Sequence, residues 1–177
     1  MKVLVMAWFT IFGLMISVMP HPRAAALLLR LAGARVGPGV RIHRLRLMNH
    51  EMGVENLEIG EGAYIGPECL IDVAGPVRIG ARSCISARSI LISHSDANSS
   101  HGNVNATRFR PSRLGVAVGP DVWLGVGTIV LESSSIGDRC VVGAGSVVRG
   151  ELIADGLYAG TPARLMRKLQ AESDHLD

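Results

Sequence analysis

A parallel β-helix, an all-β solenoid of stacked triangular coils, is the fold class this sequence predicts, and three observations predict it. Aliphatic residues recur every six positions through Val118, Leu124, Val130, Ile136, Val142 and Val148. The same spacing runs through Ile59, Ile65 and Ile71, then through Ile79, Ile85 and Leu91 after a two-residue slip around Ala74 to Val77. Glycine follows the aliphatic residue at Gly60, Gly66, Gly80, Gly119, Gly125, Gly137 and Gly143, and a small or β-branched residue stands four places after it, as at Val122, Thr128, Ser134, Cys140 and Ser146. Aromatics are only 4% of the chain against 21 glycines, so the core must be aliphatic side chains between closely spaced backbones. A period of six is a multiple of the strand period of two and not of the helical 3.6, so every marked aliphatic residue can point inward from a short strand.

The elements follow in chain order. Residues 1–35 read as an apolar, basic helical segment. Residues 3–19 carry no charge and fit a membrane anchor, a marginal span, the apolar region of a signal peptide, or a helix packed on a neighbouring subunit. Pro22 suits a first helical position and Gly33 the position after a helix end, which predicts a second helix over 22–32. Lys2, Arg23, Arg30, Arg35, Arg41, Arg44 and Arg46 all precede the first acidic residue, Glu51, although the whole chain carries only +3. That bias favours an anionic, cytoplasmic membrane face. Residues 36–160 should form about five coils, the first an imperfect one begun by Val36 and Ile42, with a polar, aperiodic loop at 93–116. Residues 161–177 begin with Thr161 and Pro162 and read as an amphipathic capping helix. The three cysteines show no metal-like spacing and cannot all pair within one chain, which favours a reduced, cytoplasmic setting. Cys69 and Cys140 fall at small inward positions.

DVWLG at 121–125, IGDRCVVGAGSVV at 136–148 and AGTPARLMRKL at 159–169, set on these repeats, give the chain a more specific resemblance. It resembles the hexapeptide-repeat acetyltransferases, left-handed β-helix enzymes, in the branch holding galactoside, maltose, nodulation-factor and exopolysaccharide O-acetyltransferases. The resemblance runs from about Leu29 to Lys168. It implies a homotrimer, acetyl-CoA as donor, no metal, and a sugar or glycan-precursor hydroxyl as acceptor. It makes His94, at the start of the interrupting loop, the catalytic base, a role suited to imidazole because its ordinary pKa lies near neutrality. His101 is the rival. Trp123, Val126 and Ala144 are implied at the pantetheine and thioester end, in a groove between subunits. Arg149, standing where the family usually has Thr, is placed with the donor contacts, and Arg164 and Arg167 with the CoA phosphates. Asp72 matches an acidic position near the acceptor, and Glu68 replaces an Asn that touches the sugar in galactoside-type enzymes.

Other readings remain open from the residues alone. A serine or amino-sugar acetyltransferase would share the donor machinery, and a non-catalytic β-helix scaffold would share the coils. A γ-class carbonic anhydrase would need three histidines on zinc, yet His94 and His101 are the only pair at the loop, and neither lies in a regular repeat. Arg108, Arg110 and Arg113 in the loop could meet an anionic acceptor. Phe109 is the one aromatic among them, so nucleic-acid binding has little support.

Overall fold

The computed structural model describes residues 2–97, 102 and 104–169. Short strands at the six-residue spacing wind into five complete coils and the start of a sixth, against the roughly five expected. The first coil holds β1 (Arg35–Val36), β2 (Arg41–Ile42) and β3 (Arg46–Met48). The second holds β4 (Leu57–Ile59), β5 (Tyr64–Ile65) and β6 (Leu70–Asp72), and the third β7 (Val77–Ile79), β8 (Cys84–Ile85) and β9 (Ile90–Leu91). The fourth holds β10 (Val116–Val118), β11 (Trp123–Leu124) and β12 (Ile129–Val130), and the fifth β13 (Ser134–Ile136), β14 (Val141–Val142) and β15 (Val147–Val148). The sixth is begun by β16 (Glu151–Leu152) and β17 (Gly156–Gly160). Every third strand stacks in parallel on the one below, giving three sheets: β1-β4-β7-β10-β13-β16, β2-β5-β8-β11-β14-β17 and β3-β6-β9-β12-β15.

The register explains why the repeat is strict. Ile65 pairs with Ile85, Ile85 with Leu124 and Leu124 with Val142, so one aliphatic residue sits directly on the next, and all four are fully buried. Burial of such side chains contributes roughly 1.5–3 kcal/mol each. Cys69 and Cys140 are free, fully buried, and packed inside the corners.

The two-residue slip has a structural cause. It lies where the long loop leaves and rejoins the coils: Gly115 N–H donates to Ser93 O (3.0 Å) and Val116 N–H to Pro76 O (2.9 Å). A side chain on Gly75 would press on the carbonyls of Ser93 and Arg113 at 2.8 and 2.9 Å. The loop base is pinned by a reciprocal Ser95–Ser112 backbone pair (3.0 and 2.9 Å). The Glu132 carboxylate accepts from Ser112 Oγ (2.7 Å) and Leu114 N–H (2.9 Å). A short helix, α3 (Asn105–Arg108), lies within the loop.

Before the coils come α1 (Lys2–Val18) and α2 (Pro22–Leu31). Pro22 opens α2, His21 Nδ1 accepts from Arg23 N–H (3.3 Å), and Ala25, Ala26 and Leu29 are buried against β1 and β2. α1 buries Phe12 and Ile16 and lies on β3 and the 3₁₀ turn His50–Met52. Among the described residues, no helix is long and apolar enough to cross a membrane.

The expected capping helix at 161–177 is corrected over its described part. After a turn at Gly160 (φ 102°), β18 (Ala163–Lys168) returns antiparallel along β17. The sequence pattern suits a helix, but β17 ends the second sheet with an unpaired edge, and pairing that edge outweighs local propensity. Residues 170–177 of the expected helix lie outside the described residues.

Candidate active site

His94 follows β9 by three residues, at the corner where the loop departs. Its Nδ1 lies 2.6 Å from Asp72 Oδ2, and its side chain is 26% exposed while that of Asp72 is 0% exposed. Asp72 ends β6, the strand stacked beneath β9, so coil stacking brings together two residues 22 positions apart. The rest of the carboxylate is occupied from within the chain. Asn49 Nδ2 donates to Oδ1 (2.6 Å), as does Ala74 N–H (3.2 Å), and both Ser93 N–H and Ser93 Oγ donate to Oδ2 (2.8 Å each). Burial alone would raise the Asp72 pKa, but the hydrogen bonds from His94, Asn49, Ser93 and Ala74 outweigh it and hold the value at about 2. An ionised Asp72 accepts a hydrogen bond from His94 Nδ1–H. In that tautomer Nε2 carries the ring's lone pair.

Asp72, expected near the acceptor, is fully buried and lies against His94 Nδ1. Glu68 is also elsewhere. It turns the corner before β6 at φ 61°, pairs with Arg88 (2.9 Å) and Arg44 (3.9 Å), and the Arg88 hydrogen bond lowers its pKa. The structure does not bring it to His94.

His94 opens on a cleft of about 350 Å³ lined by Ile92, Ser95, Leu131, Glu132 and Arg149. Arg149, expected among the donor contacts, is therefore beside the histidine. Asn49, Ser93 and Glu132 are participants that motif reading missed. Ser93 adjoins His94 in sequence, and counting coil register from Met48 opposite Asp72 would have found Asn49.

Trp123, Val126 and Ala144 lie on the second sheet and its following corner, all exposed, with the Trp123 indole N–H donating to Ser86 Oγ (3.1 Å). This corner changes character along the solenoid. Lower coils place Arg44, Glu68 and Arg88 there in left-handed backbone conformation, whereas the upper coils place Gly127 (φ 69°) and Gly145 (φ 68°). A Cβ on either glycine would meet nothing within 4 Å, so the backbone lies bare beside Val126 and Ala144. Arg164 and Arg167 sit exposed on β18, along the same sheet. Val126 precedes β12 and Glu132 follows it, so this bare corner and the His94 cleft occupy opposite ends of the third sheet.

Of the other histidines, His43 lies tilted against Tyr64 at 5.3 Å between ring centroids and His50 against Phe12 at 6.1 Å, while His101 and His175 lie outside the described residues. Among the described residues, no group of three or more His, Cys, Asp or Glu converges as metal ligands would. Arg108, Arg110 and Arg113 are exposed.

Residues 115–150 match the family model described as bacterial transferase hexapeptide (six repeats). The chain is 34% identical over 147 residues to a protein of Escherichia coli (strain K12) described as a colanic acid biosynthesis acetyltransferase, covering 82% of this chain and 75% of that one. It is 31% identical over 103 residues, 55% of this chain and 53% of the other, to a lipopolysaccharide biosynthesis O-acetyl transferase of the same organism. Among solved structures, a hexapeptide-repeat acetyltransferase of Vibrio cholerae complexed with acetyl coenzyme A superposes with a TM-score of 0.77 at 22% identity, covering 90% of this chain and 84% of that one. The chain belongs to the hexapeptide-repeat acetyltransferases, left-handed β-helix enzymes, in the branch of the sugar and polysaccharide O-acetyltransferases.

Proposed function

We propose that this protein moves an acetyl group from acetyl-CoA to a hydroxyl of a sugar or glycan precursor, with His94 as general base. The observation that carries the reading is the buried Asp72 carboxylate fixed on His94 Nδ1 at 2.6 Å, with the ring bordering the cleft. Nε2 takes the acceptor proton as the hydroxyl oxygen attacks the thioester carbonyl. Asp72 stabilises the resulting imidazolium, which returns the proton to the departing CoA sulfur as the tetrahedral intermediate collapses. The new C–O bond thus replaces the C–S bond with no net change in protonation of the enzyme.

The bare corner at Gly127 and Gly145 fits a thin pantetheine arm, because backbone N–H and C=O groups are reachable there. Trp123 flanks it, and Arg164 and Arg167 supply cations for the phosphates. The donor corner and the His94 cleft stand at opposite ends of one sheet, which favours a site shared between subunits of a homotrimer. The third sheet supports that assembly: half-buried Leu70, Ile90, Ile129 and Val147 form a registered apolar ladder alternating with fully buried Ile71, Leu91, Val130 and Val148. Arg149 and the loop arginines would meet an anionic portion of the acceptor. A CoA donor favours a cytoplasmic setting.

Incubation with acetyl-CoA and a panel of sugars and glycan precursors, read by thiol release and mass spectrometry, tests the reading. Acceptor-dependent release that disappears in His94→Ala is expected. Release undiminished in that variant would overturn it.

A further inference from the structure

α1 is apolar on two opposite faces, and the solenoid covers only one. Phe12 and Ile16 are buried, while Ile11, Leu14, Met15 and Val18, at i, i+3, i+4 and i+7, form an outward stripe with exposures of 54%, 62%, 41% and 63%. On α2 the outward stripe carries Arg23, Leu27 and Leu31 at i, i+4 and i+8, with Leu31 78% exposed. Apolar stripes of this kind, one on each helix, call for a second apolar medium.

We propose that α1 and α2 form an in-plane anchor that seats the protein on an anionic lipid bilayer. In-plane seating fits the geometry: among the described residues no helix is long and apolar enough to cross a membrane, and α1 packs Phe12 and Ile16 towards β3 and the His50–Met52 turn. A helix whose Phe12 and Ile16 face is held against the solenoid lies most readily in the interface, with the outward stripe among the upper acyl chains. Charge selects the lipid. The first 50 residues hold seven cations and no acid. Arg35 and Arg44 are partnered by Glu58 and Glu68, while Arg23, on the same stripe of α2 as Leu27 and Leu31, and Arg46, on β3 against which α1 packs, are exposed cations. Two copies of this block facing each other would repel, whereas anionic headgroups are drawn to it.

The test is independent of acetyl transfer. Full-length protein is mixed with vesicles of phosphatidylcholine, with or without phosphatidylglycerol, and sedimented. It should pellet with the anionic vesicles and far less with the zwitterionic ones. Arg23→Glu should weaken anionic binding roughly tenfold or more, and Leu14→Asp with Val18→Asp should weaken it at least about a hundredfold, both retaining the parental circular dichroism spectrum. Three results would overturn the proposal: no association of the parent with anionic vesicles, aspartate variants that pellet like the parent, or aspartate variants whose oligomeric mass falls without any vesicle binding in the parent. The last would assign the stripe to a second copy of the chain.

Discussion

Five donor contacts converge on the Asp72 carboxylate, and only one of them, His94 Nδ1, borders the cleft. Such a group does chemistry through its neighbour. His94→Ala should therefore lower kcat by about 10³-fold or more while leaving acetyl-CoA affinity, read by calorimetry, near the parental value. Asp72→Asn keeps the shape but can present its N–H to the ring, favouring the wrong tautomer. Its expected signature is a kcat lower by about 10²-fold or more, with little change in KM for acetyl-CoA. The same carboxylate shapes acid stability. Its pKa is about 2 in the fold against an ordinary 3.8, so the unfolded state binds the proton first as pH falls. About 2 kcal/mol of stability is then present above pH 4 and lost as pH falls through 2. Denaturant midpoints measured from pH 5 to 2 should drop more steeply for the parent than for Asp72→Asn. His94 was legible from its place at the mouth of the loop. Asp72 can be singled out from the sequence but its place against His94 cannot, because its burial and the contacts from Asn49 and Ser93 arise only when coils stack residues some 20 positions apart.

Neighbouring glycines of one coil show how strands and corners use the same residue for different reasons. A Cβ on Gly125 would lie 2.5 Å from the Ala144 backbone nitrogen one coil above, and that coil cannot rise without breaking Gly125 N–H to Val142 O (2.7 Å). Gly127 has open space around it but a left-handed φ of 69°. Gly127→Ala should cost about 1 kcal/mol from backbone conformation alone. Gly125→Ala should cost more, about 3 kcal/mol, through a backbone clash in a close-packed stack. Thermal unfolding of the two variants side by side checks the order, and equal losses would contradict it. These glycines also mark what sequence could and could not show of the elements. The coils were readable because inward aliphatics and glycine corners repeat with a fixed phase. ARLMRKL was read as a helix because its periodicity serves a helix face well, and nothing local announces that β17 leaves an edge to be paired.

Across the whole molecule the coils separate the two halves of the proposed site. His94 and Arg149 lie beyond one end of the third sheet, while Val126, Gly127 and Ala144 lie before the other. If a threefold assembly closes through the apolar ladder Leu70, Ile90, Ile129 and Val147, the histidine end of one subunit meets the donor end of the next. The arrangement has a consequence that a site within one chain lacks. A His94→Ala subunit still offers an intact donor surface, and an Arg164→Glu, Arg167→Glu subunit still offers an intact histidine. Each variant alone should be nearly inactive at low acetyl-CoA. Refolded or co-expressed as a one-to-one mixture, they should recover activity, because about one quarter of the subunit junctions in random trimers would join a good histidine to a good donor surface. Turnover near that fraction, accompanied by a trimer mass in light scattering, is the expected result. Turnover no greater than the sum of the separate variants would place histidine and donor surface in the same chain, and a monomer mass would remove the threefold assembly itself.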